Sequence, residues 1–99
     1  MPLAFQTTNI RFTNVQGRQT ETETVQFQRQ VISAQTALRG FNFDFRTGDH
    51  HIDNVQVVTA VRRIGPIDVE VEATVLYADK DKQDDYSGNV NVLVIAEVQ

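Results

Sequence analysis

The stretch IDVEVEATVLY, residues 67–77, is the strongest indication of the fold, because every second residue from Ile67 to Tyr77 is apolar and most of those between are polar. Side chains of a β-strand point alternately to its two faces, so this period of two predicts a strand with one buried face. Residues 52–63 and 89–98 alternate similarly and are rich in β-branched side chains. The segment RIGP, residues 63–66, lies between the runs 52–63 and 67–77, which predicts an antiparallel hairpin.

Length and composition limit the chain to one domain. Its 99 residues, 40% of them hydrophobic, suit a single core, and a chain this short buries roughly two-thirds of its unfolded surface. We therefore predict an all-β domain, an antiparallel β-sandwich of about six strands. Residues 1–24 are rich in Gln and Thr and poor in aliphatic side chains, so they are expected to form an N-terminal edge strand or arm. Residues 25–99 are expected to form the sandwich core.

The apolar positions change parity between residues 25 and 38. Val25 and Phe27 are odd-numbered, whereas Ile32, Ala34 and Leu38 are even-numbered. A shift of one residue reverses the faces of a strand, so a bulge or a bend between two sheets is expected here. Ala and Gln would also suit a helical turn within residues 31–39, but the β-branched neighbours and the lack of a helical period favour a strand.

Three phenylalanines share one face of the next run, Phe41, Phe43 and Phe45. Each ring can bury ~150–250 Å². A place in the core is therefore favoured for them over a platform that stacks on a ligand.

Apolar side chains also interrupt the polar faces of the C-terminal runs, at Val58, Leu76, Leu93 and Ile95. A sheet that is apolar on both faces is covered on both sides. The cover is expected to be either the N-terminal segment folded over the sheet or another subunit.

Charge and residue content exclude several classes of function. The net charge is −4, and Arg62-Arg63 is too small a basic cluster for phosphate binding, so no nucleic-acid partner is expected. The chain has no cysteine, which excludes disulfides and zinc–thiolate sites. It shows no signal-peptide pattern and no apolar run approaching ~18 residues, so we expect no membrane span. The compartment stays open between the cytoplasm and release without a classical signal.

The pair His50-His51 resembles a metal site by composition. Adjacent side chains on a strand point to opposite faces, so the two imidazoles cannot bind one ion together. Histidines held by hydrogen bonds at the start of a strand are favoured over a metal site.

An acidic segment follows the hairpin, with carboxylates at Asp79, Asp81, Asp84 and Asp85. Calcium prefers several such oxygens as ligands. An EF-hand loop counted from Asp79 would need glycine at its sixth position and glutamate at its twelfth, where this chain has Asp84 and Val90, so the segment is not an EF-hand. A solvated loop is favoured, with a calcium site left open. Ser33 and Ser87 lack a nucleophile motif, so we expect neither an enzyme nor a cofactor.

Valines alternate at Val55, Val57, Val69 and Val71, an Asp-rich loop follows, and the last strand ends in VIA at residues 94–96. In this pattern the chain resembles the H-type lectin domain over residues 25–98. The family ending carries a tryptophan that this chain lacks. The resemblance implies a six-stranded antiparallel sandwich that forms a trimer or hexamer and binds galactose-type sugars between subunits. It places the sugar contacts at loop and strand-edge residues: Asp49, His51, Asp84, Asp85 and Tyr86, with the Tyr86 ring stacking on the sugar.

These observations leave two hypotheses about function. The first is a non-catalytic, lectin-like module that binds a glycan as a homo-oligomer. The alternative is a structural or assembly domain whose function is oligomerisation, as in a fibre, ring or particle.

Overall fold

A computed structural model describes residues 2–45, 54–78 and 85–99. The six strands are β1 (Leu3–Val15), β2 (Arg18–Gln26), β3 (Val31–Phe45), β4 (Asn54–Ile64), β5 (Asp68–Ala78) and β6 (Tyr86–Val98). They form two antiparallel three-stranded sheets, with the orders β1-β6-β3 and β2-β5-β4. The predicted all-β sandwich of about six strands is confirmed.

The hairpin predicted from residues 52–77 is formed by β4 and β5. The two strands pair antiparallel, with Val57 opposite Val75 and Val61 opposite Val71. The backbone N–H of Gly65 donates to the carbonyl of Asp68 at 2.8 Å, which closes the turn.

The core lies between the two central strands, β5 and β6. The face of each sheet that points to the other sheet is called its inner face. Alternate residues of both strands are buried there, except half-buried Gly88: Val69, Val71, Ala73, Val75 and Tyr77 from β5, and Tyr86, Val90, Val92, Val94, Ala96 and Val98 from β6. Each sheet thus contributes its central strand to one dry layer, which is what the period of two predicts.

Where the parity changes, the chain passes from one sheet to the other and then forms a bulge at the start of β3. β2 belongs to one sheet and β3 to the other, and they are separated by residues 27–30. The N–H groups of Phe27 and Val31 donate to the carbonyls of Ile67 and Pro66 at 2.7 and 2.9 Å, which holds the crossing against the hairpin turn. Both expected features are present, a bend between the sheets and a bulge in β3 between Val31 and Ser33. The bulge moves the inner-face positions from odd-numbered Val31 to even-numbered Ala34. Residues 31–39 are strand.

The N-terminal segment belongs to the sandwich. Residues 1–24, expected as an edge strand or arm, form β1 at the edge of one sheet and most of β2 at the edge of the other. β1 pairs with β6 along most of its length, and Ile10 and Phe12 are 1% and 2% exposed. The segment extends a sheet rather than folding over one, so it is not the cover expected for the second apolar face.

The four residues expected on a hidden second face have different surroundings. Leu76 is buried, and its cross-strand neighbours Arg18 and Gln56 form a hydrogen bond, Nη2 to Oε1, of 3.0 Å. Leu93 and Ile95 are half-buried, whereas Val58 is 58% exposed. The prediction of a covered face is therefore confirmed for Leu76, whereas Val58 has no cover within its own chain and a cover by another subunit stays a prediction.

Candidate functional site

The segments predicted to bind a ligand leave the sandwich at one end. Phe45, the last residue of β3, and Val15, the last of β1, both lie opposite Tyr86, the first of β6. In the other sheet Asn54 lies opposite Ala78. The described residues at this end, 14–18, 45, 54, 78 and 85–87, are called the loop end. Strand pairing thus places the chain ends that bound residues 46–53 and 79–84 side by side.

Three of the five residues predicted to contact a sugar, Asp49, His51 and Asp84, lie outside the described residues. So do the pair His50-His51 and the carboxylates Asp79 and Asp81. Asp85 and Tyr86 are described, and both belong to the loop end.

Tyr86 cannot stack on a sugar in this conformation, which corrects the role predicted for it. Its side chain is 0% exposed, and its ring meets Phe43 and Tyr77 edge-on at centroid distances of 5.7 and 5.5 Å. Its hydroxyl donates to the carbonyl of Gly17 at 2.7 Å. Burial raises the pKa of Tyr86 above its ordinary value. The sequence carried the signal, because Tyr86 has the parity of the buried valines of β6.

An aromatic cluster lies directly beneath the loop end. Phe43 is near its centre, with ring centroids 5.8 Å from Phe12 and 5.6 Å from Tyr77. Phe45 packs on Tyr77 at 4.8 Å. Burial raises the pKa of Tyr77, and the nearby carboxylate of Asp44 raises it further. Phe43 and Phe45 therefore lie in or against the core as predicted, and they give the loop end a rigid base. For Phe41, which is 46% exposed, the prediction of a core position is wrong within one chain.

A polar brace joins the β1–β2 turn to the start of β6. The Nε2 of Gln16 donates to Oδ1 of Asp85 at 2.6 Å. The backbone N–H of Asn14 donates to Oγ of Ser87 at 2.9 Å. The brace fixes the residue that directly follows segment 79–84, so one boundary of that segment has a set position.

Asn14 makes the brace through an unusual backbone conformation. Between Phe12 and Val15, β1 has one residue more than β6, and Asn14 has φ 50°. Asn tolerates this left-handed region better than most residues, and Oδ1 of Asn14 accepts a second bond from Oγ of Ser87 at 3.4 Å. Sequence reasoning missed Asn14, Gln16 and Ser87, since a bulge and its bonds span more than 70 positions.

The chemistry of the loop end is that of a hydrogen-bonding surface. Asn14, Gln16 and Ser87 are exposed or half-buried and carry amide and hydroxyl groups, and Asp85 adds a carboxylate. Such groups donate to and accept from hydroxyls of a ligand. Within the described residues, no three of His, Cys, Asp and Glu converge as metal ligands do.

A shallow cavity of about 220 Å³ lies toward the opposite end, lined by Ala4, Gln6, Phe27, Gln28, Arg29 and Val98. The guanidinium of Arg29 donates to the backbone carbonyl of Gln99 at 3.2 Å. No residue predicted from the sequence to bind a ligand lines it.

In the described part of the chain there is no helix of the length and hydropathy needed to cross a membrane. Comparison with models of protein families, with curated proteins and with solved structures gave no match. The resemblance to the H-type lectin domain therefore stays a prediction that rests on the sequence alone.

Proposed function

We propose that this chain is a non-catalytic recognition module that binds a carbohydrate at the loop end and acts as a homo-oligomer. The observation that supports the proposal is the common position of the strand ends that bound residues 46–53 and 79–84. Asp49, His51, Asp84 and Asp85 all belong to these segments or their boundaries. The two segments that carry the ligand contacts expected from the sequence therefore begin and end at the same end of the sandwich.

The polar brace supports the same proposal. Sugars are recognised through arrays of hydroxyl hydrogen bonds, which require donors and acceptors of fixed position. The bonds Gln16–Asp85 and Asn14–Ser87 hold four such residues across the two strands. With Tyr86 buried, recognition depends on these polar groups rather than on stacking by that ring.

The proposal is tested by binding to an array of galactose-terminated glycans and by calorimetric titration with galactose. Asp85→Asn keeps the shape of the side chain and removes its charge. Hydrogen bonds to charged groups contribute about 1.5–3 kcal/mol, so this substitution should weaken binding at least about tenfold. Gln28→Ala, at the opposite end and exposed, is the matched control and should bind as the unchanged chain does.

Two results would contradict the proposal. One is a folded, unchanged chain that binds no glycan on the array. The other is an equal loss of binding in Asp85→Asn and Gln28→Ala, because the site would then not be at the loop end.

A second candidate function, an assembly domain whose role is oligomerisation, is favoured by apolar surface left open on the sandwich. Among the described residues, Leu38 and Phe41 of β3 and Val58 of β4 are 44%, 46% and 58% exposed. Measurement of the molar mass in solution tests this candidate. A monomer at every concentration would refute it.

A further inference from the structure

The sandwich is open along one side, between the edge strands β3 and β4. Leu38 and Phe41 lie opposite Val92 and Val90, and Val55 and Ile64 lie opposite Tyr77 and Val69. Residues directly opposite each other in an antiparallel pair point to the same face. All four partners are buried on the inner faces, so Leu38, Phe41, Val55 and Ile64 also project from them.

These inner-face side chains nevertheless stay in contact with solvent. Leu38 is 44% exposed, Phe41 46%, Val55 39% and Ile64 41%. The surface made by these four residues, together with half-buried Ala34, Val57 and Val61, is called the β3/β4 side. The apolar layer between the two sheets is therefore exposed to solvent along this side.

We propose that further copies of this chain cover the β3/β4 side, each presenting the same side toward a common symmetry axis. Both candidate functions include self-association of the chain. The inference rests on that self-association and specifies the surface through which it occurs. It does not depend on which ligand the loop end binds.

The opposite side of the sandwich, between β1 and β2, explains why the partner presents its own β3/β4 side. There the inner-face positions of β2 carry Gln19, Glu21 and Glu23, opposite Val75, Ala73 and Val71. Glu21 and Glu23 are exposed, and inward-pointing charges on an edge strand oppose association along it. An apolar β3/β4 side packed against these carboxylates would remove them from water without an opposite charge.

The size of the β3/β4 side is sufficient for a specific contact. β4 has 11 residues and so spans about 36 Å. With the 14–17 Å depth of the molecule, this gives a strip of roughly 500–600 Å² on each copy. Two copies bury about 1,000–1,200 Å², at the lower limit for a biological interface.

The contact is made by side chains rather than by pairing of strands. The register of β3 shifts between Val31 and Ser33 and again between Leu38 and Gly40, and that of β4 shifts between Val61 and Arg63. Bulges of this kind distort a free edge and oppose the addition of another strand. The one polar pair across the described β3/β4 side, Thr36 and Thr59, is satisfied internally at 3.0 Å.

Light scattering coupled to size exclusion, across micromolar concentrations, tests the inference. The unchanged chain should have two or three times the mass of one chain. Leu38→Ser combined with Phe41→Ser should raise the dissociation constant at least about 30-fold, as expected on loss of one interface hot spot. The matched control is Leu3→Ser combined with Phe5→Ser, whose side chains are more exposed but lie outside this side, and it should leave the mass unchanged.

The outcomes separate the inference from the functions it rests on. A monomeric unchanged chain refutes the self-association itself. If the control substitutions dissociate the oligomer and the Leu38/Phe41 substitutions do not, only the choice of surface is refuted. If the Leu38/Phe41 variant fails to fold, Val55→Thr with Ile64→Thr tests the same side from β4, since threonine also favours strands. An unchanged mass in that folded variant overturns the inference.

Discussion

Replacing Tyr86 by phenylalanine removes the hydrogen bonds of one buried hydroxyl at the base of the loop end, a short bond to the carbonyl of Gly17 and a longer one of 3.4 Å to that of Val75. The phenolic hydroxyl donates to the carbonyl of Gly17 at 2.7 Å inside a side chain that is 0% exposed. Removing it leaves that carbonyl without its donor, which costs about 1–2 kcal/mol. For a domain of this length each kcal/mol shifts Tm by about 4–8 °C. We therefore expect Tyr86→Phe to lower Tm by roughly 5–15 °C.

Truncation to alanine extends the same experiment. Tyr86→Ala also removes the ring from among Phe43 and Tyr77, and loss of a buried aromatic side chain costs about 3–5 kcal/mol. This is a large share of the ~5–15 kcal/mol that stabilises a typical domain. Tyr86→Ala is thus expected to unfold the sandwich in part or whole, not to act as a folded, binding-deficient variant.

The assay is thermal and urea unfolding followed by far-UV circular dichroism, since strand content reports on the whole sandwich. Gln16→Ala, in the same turn, removes only an exposed hydrogen bond and should change the free energy of unfolding by no more than about 0.5 kcal/mol. If Tyr86→Phe were as stable as the unchanged chain, the buried bond to Gly17 would contribute nothing to stability, and the hydroxyl of Tyr86 would not hold the β1–β2 turn in place.

Alkaline pH and two glycines provide further tests. Burial raises the pKa of both Tyr77 and Tyr86, so in alkali the unfolded chain loses these two protons before the folded chain does. The free energy of unfolding should therefore fall as the pH rises above about 10. Urea titrations at a series of pH values measure this fall, and Tyr86→Phe should make it less steep. A Cβ at Gly88 would overlap the backbone of Asn42, whereas one at Gly40 meets nothing within 4 Å. Gly88→Ala should therefore cost about 1–3 kcal/mol or more, and Gly40→Ala should be neutral or stabilising by up to about 1 kcal/mol; equal melting temperatures for the two variants would contradict the close approach at Gly88.

The alternation in the sequence predicted the local structure well. The period of two in β5 and β6 assigned the buried valines to one face before any strand partner was known, because side-chain direction along a strand is a local property. The turn RIGP predicted the β4–β5 hairpin for a similar reason, since its ends are close in sequence. The change of parity after Phe27 predicted a bulge or a bend, and the chain has both, with the bulge between Val31 and Ser33.

The candidate site was predictable only in part. Asp85 and the segments 46–53 and 79–84 were chosen as candidates from composition, because acidic and turn-forming residues are typical of loops, and their contact with a ligand stays a prediction. Tyr86 was assigned to the ligand rather than to the core, although its parity with Val90 indicated burial. Asn14, Gln16 and Ser87 were not found, because their roles come from bonds that join β1 to β6.

The strands β4, β5 and β6, the inner faces of β5 and β6, and the β4–β5 hairpin could thus be predicted from the order of the residues alone. Three features emerged only in the folded chain: β1 and β2 belong to different sheets, Leu76 is covered within its own chain, and the β3/β4 side is open. The difference arises from the range of the forces involved. The alternation of side chains depends only on neighbouring residues of one strand. The order of strands in a sheet depends instead on which distant strands bury the most apolar surface together, and the sequence of a single strand does not specify its partners.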